Sequence, residues 1–566
     1  MEKFGDYAVR GEIDISKLDI IEKVDKVGAF NNLWIKQEIL VNEAKSILSN
    51  KYKTDLLLTN KGRKILLEHT SPEPTKTLHI GHFRNNFLGM AIHNILETLG
   101  AKVTLDCIDN DRGMKICKTM WGYLVFGNKK RIEELGIVDC IEKFKTYKIS
   151  DDEIIKIANN ISWTELLKRW IEKPKDWYLP VDFDLNSDKF DNVLYSPASR
   201  VADLQTDIND QVQDILLAWE SEDVNVRLLW KQIIMWSTEG YEKTYKRIGS
   251  VHDKVWHESD HYKLGKKWVD EGLKNGIFKK LDDGAILTNL EKYGLSDTIV
   301  IKRDGTSNYL TQDLQLTYQK VNDYPSDLYI WDIGNDQLLY LQQMYAVCDQ
   351  LGIVSRDKLF HLNYGFITLA GAKMSSRFGG VVNGDDLLDE LKIKIKEMML
   401  KSESKAEGID IENVSEKLAL GACKYGFLKV DRSKQIVYDI EKSVSIQGDS
   451  GPYIQYTYAR CKSVIGKITD NRGQITENVK FDENELPLLR YFYIFEEKII
   501  EAGERFSPAV LAEYLLNLAR KYNEFYGKCR IVGEPEEARR VFLTQVTAKI
   551  IKDGLTILGI ETLEKM

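Results

Sequence analysis

Apolar residues at Phe83, Phe87, Ala91, Ile95 and Leu99 recur at helical spacing through "HFRNNFLGMAIHNILETLG", and Gly100 closes the run. The short apolar stretch "KILLEHT" (64–70) precedes this helix across a Pro-containing loop, and "KVTLDC" (102–107) follows it. A strand, a helix and a second strand in that order predict the opening of a parallel sheet in an α/β fold. From about 115 to 285 the pattern is Trp-rich and mostly helical, as in "ISWTELLKRWIEK", and predicts an insertion between two halves of that sheet. Strand patterns return at "DTIVIKRDG" (297–305), "DLYIWDI" (327–333) and "LFHLNYGFITL" (359–369), with "NDQLLYLQQMYAVCDQLG" a helix between the last two. Beyond about 400 helical patterns prevail. The expected division is a small appended domain over 1–64, an α/β domain over 65–400 with the insertion, and an all-helical domain over 401–566.

Composition narrows this little. At 566 residues the chain is too long for a single compact core, and its 43% apolar content is ordinary for a folded protein. No run approaches the roughly 20 apolar residues of a membrane helix, and "MEKFGDYAVRGEIDISKLD" holds no signal core, so a cytoplasmic protein without membrane association is expected. Seven scattered cysteines with no CxxC pair argue against structural zinc and a disulfide framework. The net charge of −8 excludes wholesale coating of nucleic acid but allows a local basic track.

The chemistry concentrates in "SPEPTKTLHIGHFRNN" (71–86). A helix start carries unpaired amides and partial positive charge and so favours phosphate, and His79 and His82, one turn apart, add donors on the same face. Read alone, such a pair is as readily a surface pair or a metal fragment, although the remaining histidines offer no obvious third ligand. Gly81 between them leaves room for a planar ligand such as adenine against the backbone.

"LHIGH" resembles the HIGH motif of class I aminoacyl-tRNA synthetases, and "AGAKMSSRFGG" (370–380) is similar to their KMSKS motif, in the expected order. Further stretches resemble the arginyl-tRNA synthetases: "LEHTSPEPTKTLHIGHFRNN", "NDRGMKICKTM" (110–120), "DGTSNYLTQDLQLTYQK", "GPYIQYTYARCKSVI" (451–465) and the ending "DGLTILGIETLEKM". The resemblance implies a Rossmann-type catalytic domain, an all-α anticodon-binding domain and a small N-terminal domain. That last domain, with "GDYAV" and "VGAFNNLWI", is shorter than the family's usual tRNA-elbow domain. It implies ATP-dependent ligation of L-arginine to tRNA(Arg) through an arginyl-adenylate, with ATP used as its Mg²⁺ complex, and a monomer.

By resemblance, ATP would meet His79, Gly81, His82, Lys373, Met374, Ser375 and Arg377, while arginine would meet Glu68, Glu73, Tyr309, Asp313 and Gln337. The carboxylates suit a planar five-donor guanidinium. Tyr456, Tyr526, Arg530 and Met566 stand where tRNA contacts are expected. Three departures stand out. Ser376 occupies the place of the second KMSKS lysine, which Lys76 or Arg377 would replace; Glu73 replaces an asparagine; and Phe378 and Gly380 differ from the usual lysine and asparagine. Two other readings stay open at this level, a class I synthetase for another amino acid and a silent tRNA-binding paralogue.

Overall fold

The computed structural model describes residues 5–11, 19–51, 57–306, 309–371, 382–401, 408–468, 475 and 479–566. Its centre is a five-stranded parallel sheet in the order Leu359–Tyr364, Leu328–Gly334, Lys64–Glu68, Lys102–Asp109, Lys254–His257. Ile65, Leu66 and Leu67 are fully buried, as expected of a central strand covered on both faces. Leu66 pairs with Thr104 on one side and Tyr329 on the other, so the sheet grows in opposite directions from this strand. Such a reversal opens a crevice at the carboxyl ends of the strands, where Glu68 and the start of helix Ile80–Thr98 lie. The helix stops where expected: Gly100 has φ +90°, and a Cβ there would come within 3.1 Å of Lys61 Cα.

The insertion needs correction at its far end. Helices run from Met114–Phe126 to Val224–Ile248 around a separate aromatic core that includes Trp121, Trp177 and Trp219. The chain then rejoins the sheet as Lys254–His257 instead of staying outside it to 285. Four residues at a sheet edge are too few to display a period, so this strand left no readable pattern. The strand expected at 297–305 is shorter, Ile299–Ile301, and belongs to a separate antiparallel sheet with Phe278–Lys280 and Ile286–Thr288.

"LFHLNYGFITL" divides into Leu359–Tyr364, an edge of the main sheet, and Ile367–Leu369, which pairs in parallel with Ile436–Tyr438. Helices otherwise fill the described residues beyond 408, from Ile411–Leu428 to Glu537–Ile557. The N-terminal three-stranded sheet and the helix Gln37–Leu48 dock on this helical region. Asp6 receives Arg490 and the Ile35 amide, and Tyr7 donates to Glu497. One apolar cluster runs from Ile35 through the Ile80–Thr98 helix to Leu563. Among the described residues no helix is long and apolar enough to cross a membrane.

Candidate functional site

His79 is the N-cap of its helix. Its Nδ1 accepts from the amides of Gly81 (3.1 Å) and His82 (3.4 Å), and His82 Nδ1 accepts in return from the His79 amide (3.2 Å). This is a capping box built from two imidazoles, whose rings stack 3.8 Å apart. Because both Nδ1 atoms accept, each neutral ring carries its proton on Nε2. Burial, reinforced by the Lys76 charge, lowers the His79 pKa to about 4. His82 is held further below the usual range by burial and by His79 and Lys76. Both rings are therefore neutral donors at pH 7.

This corrects two expectations. The amides expected to be unpaired at the helix start are engaged, those of Gly81 and His82 by His79 and that of Ile80 by the Val382 carbonyl (3.0 Å). A phosphate here would meet imidazole N–H groups rather than backbone amides. Gly81 is demanded first by its own neighbour, since a Cβ would come within 2.8 Å of His79 Cε1.

Lys76 and Glu73 occupy the loop before the helix. Lys76 Nζ lies 3.0 Å from Glu73 Oε2, and Lys115 Nζ donates to Glu73 Oε1 at 2.5 Å. Burial would raise the Glu73 pKa, but the two ammonium groups outweigh it and hold the group below its usual value.

The remaining carboxylates form an acidic wall. Glu68, 3% exposed, places Oε2 2.6 Å from Lys320 Nζ, and Lys320 lies equally close to Asp106 Oδ2. Burial opposes the charge on Lys320, yet the two carboxylates beside it push its pKa up. Glu68 Oε1 accepts from Ser71 Oγ at 3.1 Å. Asp313, on helix Tyr309–Asp323, accepts from the Tyr340 hydroxyl; burial, partly offset by that bond and added to by Glu68, raises its pKa to about 6. Glu258 is pushed up to about 7 by burial, with Asp111, Asp313 and Glu73 adding to the shift and Arg112, 3.8 Å away, opposing it. Carboxyls raised by burial and mutual repulsion are poised for a cation.

A cavity of about 800 Å³ brings together Glu68, His79, Gly81, His82 and Gln337, with Asn85, Asp332 and Asp336. Glu73, Lys76 and Asp313 stand outside its lining. Tyr309 is 75% exposed at the first turn of its helix and is not among the described residues that line the cavity. Lys373, Met374, Ser375, Ser376, Arg377, Phe378 and Gly380 lie outside the described residues, but the flanking Gly371 and Val382 both line the cavity.

Far along the chain, Arg460 sits between Tyr456 and Tyr526, 4.8 and 5.0 Å from the ring centroids. Arg530 is exposed and lies 3.7 Å from Glu534, while Met566 packs half-buried against the core. Sequence reasoning missed Glu258, Lys115, Lys320 and Arg460. Lys320 was within reach, being two turns beyond Asp313 on one helix face, and Arg460 likewise stands one turn after Tyr456. Nothing in "WHESD" singles out Glu258 before the fold brings it to Asp313.

Among the described residues, Asp109, Asp111 and His257 form the group whose ligand atoms come within 4.8 Å of one another. Both Asp111 oxygens accept from Ser259, at 2.8 and 2.7 Å, which ties Asp111 to the turn after His257.

Comparison with known proteins agrees with this arrangement. The family described as tRNA synthetases class I (R), catalytic domain, matches residues 43–156 and 165–440, and the DALR anticodon binding domain matches 454–566. An arginine–tRNA ligase of Bacteroides thetaiotaomicron is 31% identical over all of this chain and 90% of its own length. One of Flavobacterium psychrophilum is 32% identical, with 100% and 88% covered. The fold is similar to that of Thermus thermophilus arginyl-tRNA synthetase, with a TM-score of 0.72 at 22% identity over 97% of this chain and 89% of the other. With the catalytic match spanning both the capped helix start and the acidic wall, and the second match covering the helical region that follows, the chain belongs to the arginine-type class I tRNA synthetases.

Proposed function

We propose that the protein joins L-arginine to tRNA(Arg) in two steps, using ATP as its Mg²⁺ complex. In the first, a carboxylate oxygen of arginine attacks the α-phosphorus of ATP, a new P–O bond forms, and the bond to the β-phosphate oxygen breaks to release pyrophosphate. In the second, a terminal ribose hydroxyl of the tRNA attacks the arginyl carbonyl and AMP leaves. The single observation that carries this reading is a cavity lined both by a capped helix start with two neutral N–H donors and by Glu68, whose charge acts on Asp313, itself a neighbour of Glu258, both with raised pKa values.

Each part has a task in the reaction. Nε2–H groups of His79 and His82 donate to phosphoryl oxygens as charge builds there, which rewards the transition state over the ground state. Neutral rings suit this task because a hydrogen bond to a developing oxyanion strengthens without a competing proton transfer from an imidazolium. Lys76 and the lysine and arginine of the 373–377 segment supply cationic charge to the phosphates. Asp313 and Glu258 hold the guanidinium, with Glu68 fixed behind them by Lys320. Gln337, whose Nε2 donates to Asp336 at 3.1 Å, lines the cavity. The aromatic pair around Arg460 offers unpaired tRNA bases a stacking face flanked by a cation, and the protein acts as a monomer.

Charging of mixed tRNA with labelled arginine, set against the other nineteen amino acids, is the deciding experiment. Arginine alone should become acid-precipitable in an ATP-dependent way. Charging with a different amino acid would transfer the site to another specificity, and no charging with intact tRNA binding would favour a silent paralogue.

A further inference from the structure

Glu73 holds two lysines at once. Lys115 takes Oε1 in a short hydrogen bond, and Lys76 stands 3.0 Å from Oε2. Although Oε2 is buried, it receives no well-directed hydrogen bond among the described residues, so it retains capacity to accept one. The backbone beneath is pinned: the Tyr241 hydroxyl lies within hydrogen-bond reach of the Glu73 and Lys76 carbonyls, at 2.7 and 2.5 Å, and the Lys76 amide donates to the Glu73 carbonyl. The two lysine side chains, 44% and 52% exposed, remain free to turn.

The cluster also spans the two ends of the site. Lys76 precedes the capped helix start by three residues, and its charge reaches both imidazoles. Glu73 contributes to the field at Glu258, and Tyr309 to the field at Lys115. One carboxylate thus stands between the phosphate end and the acidic end.

We infer that Glu73 is a shared counter-ion that couples the two substrates: an arriving cationic amino acid engages Oε2, and Lys76, released from that oxygen, turns to phosphate at the His79–His82 helix start. The inference rests on the reading of the site as one for arginine and ATP. Lys76, Glu73 and Lys115 together carry one net positive charge. A further cation at Glu73 raises the repulsion on Lys76, whose side chain is the mobile one nearest the phosphates. Exposed ion pairs are worth about 0.2–1 kcal/mol, which converts to a coupling of roughly 1.4- to fivefold. Linkage makes the effect reciprocal.

Titration calorimetry on the full chain tests this, with an α,β-methylene ATP analogue so that nothing turns over. In the wild type, saturating arginine should tighten the analogue about 1.4- to fivefold, and the analogue should tighten arginine by the same factor. E73Q should bind both ligands with no coupling, and should bind the analogue alone more tightly than the wild type does, because Lys76 is already released. K76M should also lose the coupling, but with analogue affinity at or below that of the wild type. Opposite signs in the two variants identify a restraint on Lys76, whereas a merely structural role for the loop would weaken the analogue in both. Unchanged coupling in E73Q, or two ligands that bind the wild type independently, overturns the inference alone. If arginine does not bind the wild type at all, the functional reading fails and takes this inference with it.

Discussion

At the scale of single residues, the site depends on close approach and on shifted protonation. Gly81→Ala would drive a methyl group into the His79 ring, 2.8 Å away, and break a reciprocal cap. The lost cap alone costs about 0.5–2 kcal/mol, so the variant should remain folded by circular dichroism while arginine-dependent pyrophosphate exchange falls by roughly 10²-fold or more. Protonation gives a second expectation. Glu258, raised to about 7, and Asp313, raised to about 6, hold a guanidinium only when ionised, and arginine stays charged throughout. Protons compete below those values, so the KM for arginine should climb as pH falls from 8 to 6, with the KM for ATP much less affected. Glu258→Gln should weaken arginine binding at pH 8 and remove the upper part of that dependence. A flat arginine profile would take both carboxyls out of the binding site.

At the scale of elements, Lys320 ties three pieces of the fold together. It projects from helix Tyr309–Asp323 and meets Glu68 on the central strand and Asp106 on its neighbour, all three buried. Lys320→Met would leave two carboxylates buried without a cation, a loss of about 3–5 kcal/mol. Thermal unfolding should show it as a clear fall in the transition of the catalytic region, and adding Glu68→Gln should recover part of the loss by removing one unpaired charge. If the single variant unfolds like the wild type, the triad is not holding the strands and helix together. Such a fall would also explain why Glu68, although on the cavity wall, acts through its position more than as a free acid.

At the scale of the whole molecule, the Ile80–Thr98 helix is shared between the sheet and the C-terminal helices. Asn94 donates to the Ile557 carbonyl at 3.1 Å, Lys424 to the Gly559 carbonyl at 2.6 Å and Gln455 to the Glu561 carbonyl at 2.7 Å. Ending the chain at Leu558 would remove the last two acceptors together with buried Ile560 and Leu563. Two such side chains are worth about 1.5–3 kcal/mol each, so the melting temperature should drop by several degrees. Exchange activity should fall with it, since the helix that carries His79 loses part of its support. Activity that survives the truncation undiminished would show that the helical region supports tRNA contact only.

The sequence by itself determined the opening strand, the helix with its stop at Gly100, the return of strands after the insertion and the helical end of the chain, because periodicity and helix-stop chemistry are local. It also marked His79, Gly81, His82 and Asp313 through motif spacing. Tertiary structure decided what those residues are able to do. Only the folded loop shows that the histidines cap one another and lose their positive charge to burial, and that Glu73 is shared by two lysines. Glu258 and Lys115 come from segments about 185 and 42 residues beyond Glu73, and no window of sequence contains such a meeting. Desolvation and charge proximity depend on which surfaces face each other after folding, and that information resides in the packing of distant segments rather than in any one of them.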